Sequence, residues 1–596
     1  MRMAGTRSRS FWRNWKRQRP STRLNRPRAR VGSMTNFRIE RIPFDGSALE
    51  AWGSADERHS NWPVVYTIND KKQIYVGETT NPVRRLLQHK TNPERSKLRR
   101  ARIILSDTFN KSVCLDLESH LIQYFHADEQ YQVQNKNFGL SDADYYEREK
   151  YREDFQQIFD ELLEEGVLTR SIPDLENTDL FKFSPFKALT SDQAVAVDAI
   201  VNLLLADLRN KDEASIVVRG EPGTGKTVVA VYLMKLLMDI AKSKPDELLD
   251  QNTMFADLFE GDQRDVLKDL RIGLVVPQQS LRKTLERVFR STPGLQKGMI
   301  LSPYQVGNSP EPWDVLIVDE AHRLSQRARM PGPALNAGYK NINIRLFGED
   351  LDHYTQLDWI KARSSHQVLL LDALQSVRPS DLPAPLLEGT VSEARKTDRL
   401  FHLHSQMRVK ADSDYVGFID DVLRGKASEI PDFGDYDFRI FDNLADMRAE
   451  ILKKDNEVGL SRLVAGYAWE WKSKDDPEAF DIELDGVQLR WNTTATDWIN
   501  SPTSVDEVGS IHTVQGYDLN YAGVIIGDDL GFDQEKGQFF FNRDAYFDKR
   551  GKENNSRLGI TYSDDDLLEY VRNIYRVLLT RGIRGTYLLW GNQGPW

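Results

Sequence analysis

The chain has a single cysteine, Cys114, in 596 residues. That excludes a disulfide framework and any multi-cysteine zinc site, and it suits a reducing cytosol, so a cytoplasmic location is expected. No apolar run is long enough to span a bilayer, so no membrane partner is expected. Residues 1–33 contain no acid at all, yet carry arginines from Arg2 to Arg30. Three readings of this basic, disorder-prone arm stand: a segment that binds phosphate backbones, an organelle transit peptide, or a stretch ahead of a true start at Met34. The last is preferred, and no function is assigned to the arm. The formal net charge of −10 therefore understates the acidity of the remainder. An acidic whole does not exclude nucleic acid, because local clefts decide that.

What is present is a chain sized for several domains, with 40% hydrophobic and 29% charged residues. Its most informative stretch is Gly220-Glu221-Pro222-Gly223-Thr224-Gly225-Lys226-Thr227. It lies between a strand-like segment, Ser215 to Val218, and a helical one, Val228 to Leu237. Glycines let the backbone wrap a phosphate, Lys226 brings a point charge to the β- and γ-phosphates, and Thr227 places a hydroxyl on Mg²⁺. ATP and Mg²⁺ are the expected cofactors. Downstream, Asp314-Val-Leu-Ile-Val-Asp319-Glu320-Ala-His322 ends an apolar strand on two adjacent carboxylates. Asp319 is expected to hold the Mg²⁺ and Glu320 to polarise the attacking water.

Short apolar strands at 216–218, 272–276, 315–318 and 368–371 alternate with amphipathic helices, which predicts a parallel sheet covered by helices. A second such series runs from about Arg399, with strands at 462–465, 524–526 and 586–589. Residues 34–145 read as a smaller α/β unit with strands at 64–68 and 74–76 and helices around 83–90 and 115–125. The expected division is a basic arm over 1–33, a small α/β domain over 34–145, a helical and linker segment over 146–187, and two lobes over 188–395 and 396–596. A charged, helix-prone stretch from Asp142 to Leu168 leads to a polar linker around Ser171–Pro185. Arg323–Gln367 and Phe532–Asp564 carry little apolar periodicity and read as insertions.

From residue 188 on, ordered motifs make the chain resemble superfamily 1 helicases, and more closely proteins with the Schlafen group 3 type DNA/RNA helicase domain. Leu189-Thr-Ser-Asp-Gln193 is similar to the adenine-sensing glutamine motif, and Val275-Val-Pro-Gln278 to the first strand-contacting motif. Asp372-Ala-Leu-Gln375 resembles motif III, whose glutamine reports the γ-phosphate. Ser405-Gln406-Met407-Arg408 resembles motif IV, with Arg408 in the place of its phosphate-contacting arginine. Ser510-Ile-His512-Thr513-Val-Gln515-Gly516-Tyr-Asp518 resembles motif V, with Asp518 counted toward the nucleotide site. Tyr575 to Gly582 resembles motif VI, with Arg581 as arginine finger. The resemblance implies two RecA-like parallel-sheet lobes with ATP between them, Arg408 and Arg581 reaching over from the second lobe. Closure around ATP would ratchet the lobes along a nucleic-acid strand.

A second ordered set lies near the N-terminus: Val64-Val-Tyr66, Tyr75-Val-Gly77, Asn81, Arg85, His89 and Glu118. A phenol, a guanidinium and a carboxylate of this kind suit a scissile phosphate. The carboxylate can hold a divalent cation, the guanidinium meets developing charge, and a tyrosine can relay a proton from water. The set resembles the GIY-YIG nuclease fold over about residues 62–140, with Asn135 as its closing asparagine. The resemblance makes Tyr66 and Tyr75 the signature tyrosines, Arg85 the catalytic arginine and Glu118 the ligand of Mg²⁺ or Mn²⁺. Two departures stand out: Val64 replaces the opening glycine, and Glu78 stands where several relatives carry lysine. The expected function is an ATP-driven translocase or helicase fused to a metal-dependent endonuclease, on DNA more readily than RNA, in defence against foreign DNA or in repair. The alternative is a nucleic-acid-binding ATPase switch whose N-terminal domain docks without cleaving.

Overall fold

The computed structural model describes residues 37–135, 144–243, 255–328, 332–372, 375–411, 413–427, 429–494, 497–514, 516–533 and 535–591. The basic arm, Ala373, Leu374, Gln515 and the start of the Asp142–Leu168 stretch lie outside them. The architecture is mixed α/β, as the alternation predicts. Among the described residues no helix is long and apolar enough to cross a membrane.

Five strands, β1 (Phe37–Pro43), β2 (Val64–Asn69), β3 (Gln73–Thr79), β4 (Arg100–Ser106) and β5 (Gln132–Val133), form the first sheet in the order β1-β4-β2-β3-β5. The turn between β2 and β3 is set by Asp70, whose carboxylate accepts from the backbone N–H groups of Lys72 and Gln73 at 2.7 Å each. That turn fixes a register in which Tyr66 faces Gly77 and Ile68 faces Tyr75. Side chains alternate along a strand, so Tyr66 and Tyr75 share one face. Helix Lys111–Asp128, capped by Asn110, packs its apolar stripe of Leu117, Leu121 and Phe125 into the core on this sheet.

Two parallel sheets follow. The first joins β6 (Ala214–Gly220), β7 (Ile272–Val275), β8 (Ile300–Leu301), β9 (Trp313–Val318), β10 (Ser364–Leu371) and β11 (Leu400–Leu403) in the order β11-β6-β10-β9-β7-β8. Their Val, Ile and Leu runs are buried, as expected of strands covered on both faces. The second contains β12 (Asp437–Phe441), β13 (Ser461–Ala465), β14 (Ile482–Leu484), β15 (Val487–Trp491), β16 (Glu507–Ser510), β17 (Leu519–Ile526) and β20 (Gly582–Trp590), in the order β12-β20-β17-β13-β16-β15-β14. Only the β14–β15 pair in it is antiparallel. A separate hairpin is made by β18 (Leu530–Asp533) and β19 (Gln538–Phe541).

Two sequence expectations need correction. The strand β11, placed in the second lobe, pairs in parallel with β6 of the first sheet, Leu403 opposite Gly220. The stretch Ser171–Pro185 is not a loose linker: it folds into helices Ile172–Glu176 and Asp179–Lys182, and Leu175, Leu180 and Phe183 are buried. The 323–367 stretch, expected as an insertion, carries helices Pro333–Phe347 and Gln356–Ala362. Those helices are held by a small core of Tyr339, Ile342 and Trp359, too few apolar residues to show as a period.

One hydrophobic core runs without interruption from the N-terminal sheet through the 148–189 helices into the first parallel sheet, from Phe37 to Leu403. Leu180, within that core, is expected to cost about 2–5 kcal/mol when replaced by Ala, measured by urea unfolding. The same substitution should speed hydrogen exchange in both helix Lys111–Asp128 and helix Gln279–Ser291. An increase confined to one of them would show two independent cores.

Candidate functional site

The phosphate-type loop leaves the end of β6 and enters helix Lys226–Ala241. Gly223 and Gly225 have φ of 87° and 78°, left-handed values that a side chain resists. A Cβ at Gly223 would also strike the Gln406 amide at 1.9 Å. The strand order sets what faces the loop. Because β10 lies between β6 and β9, its end delivers Asp372 beside Lys226, while β9 delivers Asp319 and Glu320. The Lys226 ammonium donates to the carbonyls of Gly220 (2.7 Å) and Glu221 (3.0 Å) and lies 4.0 Å from Asp372. Thr227 donates to Asp319 Oδ2 at 2.8 Å, and Asp319 Oδ1 is buried without a hydrogen-bond partner. This hard-oxygen pair fits Mg²⁺.

Glu320 sits in the left-handed region at φ 51°, a conformation that costs on the order of 1–3 kcal/mol in a non-glycine residue. The Asp372 backbone N–H donates to His322 Nδ1 at 3.2 Å, so the ring proton is on Nε2, 3.0 Å from Glu320 Oε2. Burial alone would raise the Glu320 pKa, but His322, Lys226 and Arg581 outweigh it and hold the carboxylate charged. Asp319 shifts upward, through burial and the neighbouring Glu320 charge. One carboxylate is thus kept charged, with the His322 ring 3.0 Å from it.

Arg581 follows helix Asp564–Leu579 of the second lobe, is 2% exposed, and donates to Val577 O (3.2 Å) and Tyr517 O (3.1 Å). Burial and Arg408 push its pKa down to about 9, so it remains charged at neutral pH. Arg408 does not come from the second lobe as expected. It lies just past β11, where Met407 N–H donates to Gly223 O and Gln406 to Pro222 O. Its guanidinium is ion-paired with Asp518, whose pKa is lowered: burial opposes ionisation, and Arg408, Lys182 and Arg581 outweigh it. Lys226, Thr227, Glu320, Gln375, Arg408, Asp518 and Arg581 line one cavity of about 80 Å³. Ligand pockets usually measure about 300–1,000 Å³, so this cavity is small beside them.

Two glutamines of the expected nucleotide site are held by bonds within the chain. Gln193 is fully buried: its Oε1 accepts from Thr190 N–H at 3.1 Å and its Nε2 donates to Thr224 O at 2.8 Å. The Nε2 end braces the loop, and the Oε1 end closes the capping box of helix Ser191–Asn210. Gln375 donates to Asp372 Oδ2 at 3.0 Å and so ties the end of β10 to the cavity. Lys182, from the segment taken as a linker, also reaches the cavity, and no motif signalled it.

In the N-terminal sheet, Tyr66 and Tyr75 rings lie 6.3 Å apart. Tyr66 Oη is 2.7 Å from His89 Nε2, and Arg95 donates to His89 Nδ1 at 2.9 Å. An arginine can only donate, so His89 Nε2 bears the proton and points it at the phenol oxygen. Burial and the Arg95 and Arg85 charges lower the His89 pKa to about 2, keeping the ring neutral. Burial raises the Tyr66 pKa well above its usual value, so the phenol keeps its proton. A Cβ at Gly77 would come within 2.3 Å of that hydroxyl, which explains the glycine. Arg85 has both phenols within reach, and Asn135 pins β3 through Val76 N–H (3.1 Å) and Val76 O (2.8 Å). Burial and the nearby Glu78 charge raise the Glu118 pKa to about 8. Lys111, unremarked in the sequence, is ion-paired with Glu78 and supplies the positive charge that the 78 position lacks. Glu118, with the Glu78 carboxylate near it, offers hard oxygens suited to Mg²⁺ or Mn²⁺, although no group of three or more ligand side chains gathers among the described residues.

Between the lobes lies a cavity of about 810 Å³, lined by Gln278, Lys283, Arg323, Arg378, His512 and Arg550 among others. The two stretches read as insertions meet over it: Asn555 donates to Arg327 O at 3.0 Å and Arg557 pairs with Asp352 at 2.9 Å.

Residues 213–590, more than half of the chain, match the model of the Schlafen group 3 DNA/RNA helicase domain. The chain belongs to this family. Residues 63–132 of this Schlafen group 3 helicase-domain protein also match the GIY-YIG catalytic domain, a span that includes Tyr66, Tyr75, Arg85 and Glu118. The chain is thus a helicase-like ATPase joined to a nuclease-type catalytic domain, and both units belong to hydrolases. It is 26% identical over 435 residues to the uncharacterized protein YPL245W of Saccharomyces cerevisiae, which covers 67% of this chain and 88% of that protein. Among solved structures it is similar to a Bacteroides Pif1 helicase in complex with ADP-AlF₃ and ssDNA, at 11% identity and a TM-score of 0.22, over 56% of this chain and 88% of that one. It is also similar to an arterivirus nonstructural protein 10 helicase with DNA, at 12% identity and a TM-score of 0.24, over 65% and 62% respectively.

Since Gln193 braces the loop, Gln193→Ala is expected to lower turnover of ATP and GTP by the same factor in steady-state assays. A loss confined to ATP would show that the amide reads the base.

Proposed function

We propose that the chain is an ATP-driven nucleic-acid translocase or helicase coupled to a metal-dependent endonuclease, acting on DNA in preference to RNA. The observation that carries the motor reading is the shared cavity, where Arg581 from the second lobe meets Lys226 and Glu320 from the first. Phosphoryl transfer needs little covalent help; it needs charge placed around the transferring group. Lys226 would exchange its two loop carbonyls for phosphate oxygens, a stronger charge-assisted partner. Glu320, ionised and beside His322, orients the attacking water. Thr227 and Asp319 would hold Mg²⁺, which neutralises charge on the phosphates when bound. Arg581, now spent on backbone carbonyls, and Arg408, once drawn from Asp518, supply the positive charge for the transition state. The basic interlobe cavity is suited to a nucleic-acid backbone.

At the N-terminal site, Arg85 is placed to meet charge on a scissile phosphate, the Tyr66 and Tyr75 phenols to orient it, and Glu118 to hold the divalent cation. A cytoplasmic setting is supported by the single cysteine, and service in defence or repair by the pairing of motor and nuclease. A second reading, docking without cleavage, draws on the Glu78 carboxylate beside Glu118.

Lys226→Ala should abolish ATP hydrolysis, and Arg581→Ala should slow it about a thousandfold. Single-stranded DNA should stimulate the unmodified protein; hydrolysis indifferent to every nucleic acid would rule out the motor. Glu118→Ala and Arg85→Ala should each remove Mn²⁺- or Mg²⁺-dependent nicking of plasmid or branched DNA while ATPase persists. Absence of nicking by the unmodified protein with either metal would select the docking reading.

A further inference from the structure

The segment 171–189 touches every working part of the molecule. Toward the nuclease side, Glu176 accepts from Tyr124 Oη at 3.0 Å, the Phe181 ring stacks on Tyr124 at 5.4 Å, and Phe186 meets His126 edge-on at 5.2 Å. Tyr124 and His126 lie on helix Lys111–Asp128, which also carries Glu118. Toward the first lobe, Asp179 accepts from Thr284 at 3.4 Å, on helix Gln279–Ser291 that borders the interlobe cavity. Toward the second lobe, Asn177 donates to Val458 O at 3.0 Å and accepts from Asn520 at 3.0 Å. Lys182 Nζ donates to Asp518 O at 3.0 Å and, with Phe183 and Lys187, lines the same cavity as Lys226 and Arg581.

The charge of that cavity favours an anion. Lys182, Lys187, Lys226, Arg408 and Arg581 face only Glu320 and Asp518 among its acidic lining residues. Lys182 holds a neutral backbone carbonyl, and a phosphate oxygen would be the stronger partner for an ammonium. A triphosphate there would draw Lys182 off the second lobe while Asn177 keeps its grip on Val458 and Asn520. The continuous core makes the segment a stiff connector to the nuclease, since packed interiors shift as units rather than deform gradually.

We propose that Lys182 is a nucleotide-contacting residue and that the segment 171–189 couples nucleotide binding at the lobe seam to the nuclease helix bearing Glu118. This rests on the reading of the cavity as a triphosphate site. The coupling makes phosphodiester cleavage respond to the motor's nucleotide state, so that the strand is cut at one stage of the ATP cycle.

The test is hydrogen exchange on the full-length protein with and without the nonhydrolysable analogue AMP-PNP and Mg²⁺, a readout that needs no cleavage. The proposal predicts slowed exchange at 220–227 together with a change at 172–186 and 115–128 of at least about fivefold, the low end of typical allosteric couplings. Asn177→Ala and Asn520→Ala, on the two sides of one contact outside the cavity, should keep the response at 220–227 and lose it at 115–128. Lys182→Ala should weaken AMP-PNP binding and lose the distant response, and Lys182→Arg should restore both. A response at 220–227 with none at 115–128 in the unmodified protein, or a full distant response in both asparagine variants, overturns the coupling. No response even at 220–227 overturns the triphosphate reading itself, and the coupling with it.

Discussion

The buried ammonium of Lys226 is the interaction on which the rest depends. It is 5% exposed, bonded to two carbonyls of its own loop, with Asp372 4.0 Å away. A buried cation without such company would cost several kcal/mol, so the loop, the end of β10 and the end of β9 must arrive together. The order β6-β10-β9 achieves this with three adjacent parallel strands. Their carboxyl ends form the crevice where ligands bind in open α/β sheets. Everything chemical in the first lobe is an appendage of those strand ends, including the strained Glu320 and the histidine beside it.

That arrangement also explains why the second lobe is needed. The first lobe supplies a lysine, a base and oxygens for a cation, but the remaining positive charge stands on Arg581 and on the Arg408 crossing segment. Both guanidinia are occupied in the structure, one by backbone carbonyls and the other by Asp518. These are exchangeable partners, weaker than a triphosphate. On the proposed reading, a triphosphate would take both guanidinia from these partners.

Much of this was legible in the sequence. Gly220 to Thr227 announced the loop because its spacing is tied to a mechanism, and the short apolar runs around it gave the parallel strands. Tyr66, Tyr75, Arg85 and Glu118, far apart in the chain, come together on one sheet face and two helices. What could not be read depends on partners distant in sequence. Lys182 looks like any lysine in a polar stretch until Asp518 is beside it. Lys111 is another surface residue until it pairs with Glu78. The bonds of Gln193 to Thr190 and Thr224 likewise show only in the folded chain. The strand β11 was assigned to the wrong lobe because four residues reveal a sheet only through their neighbour, β6.

The most direct test of the account is a structure of the full chain with Mg²⁺, ADP and aluminium fluoride, which stands in for the transferring phosphoryl group. The account predicts that Arg581 leaves Tyr517 O and Arg408 leaves Asp518, and that both guanidinia bond the fluoride opposite Lys226. A fluoride contacted only from the first lobe, with Arg581 still on its backbone carbonyls, would contradict it.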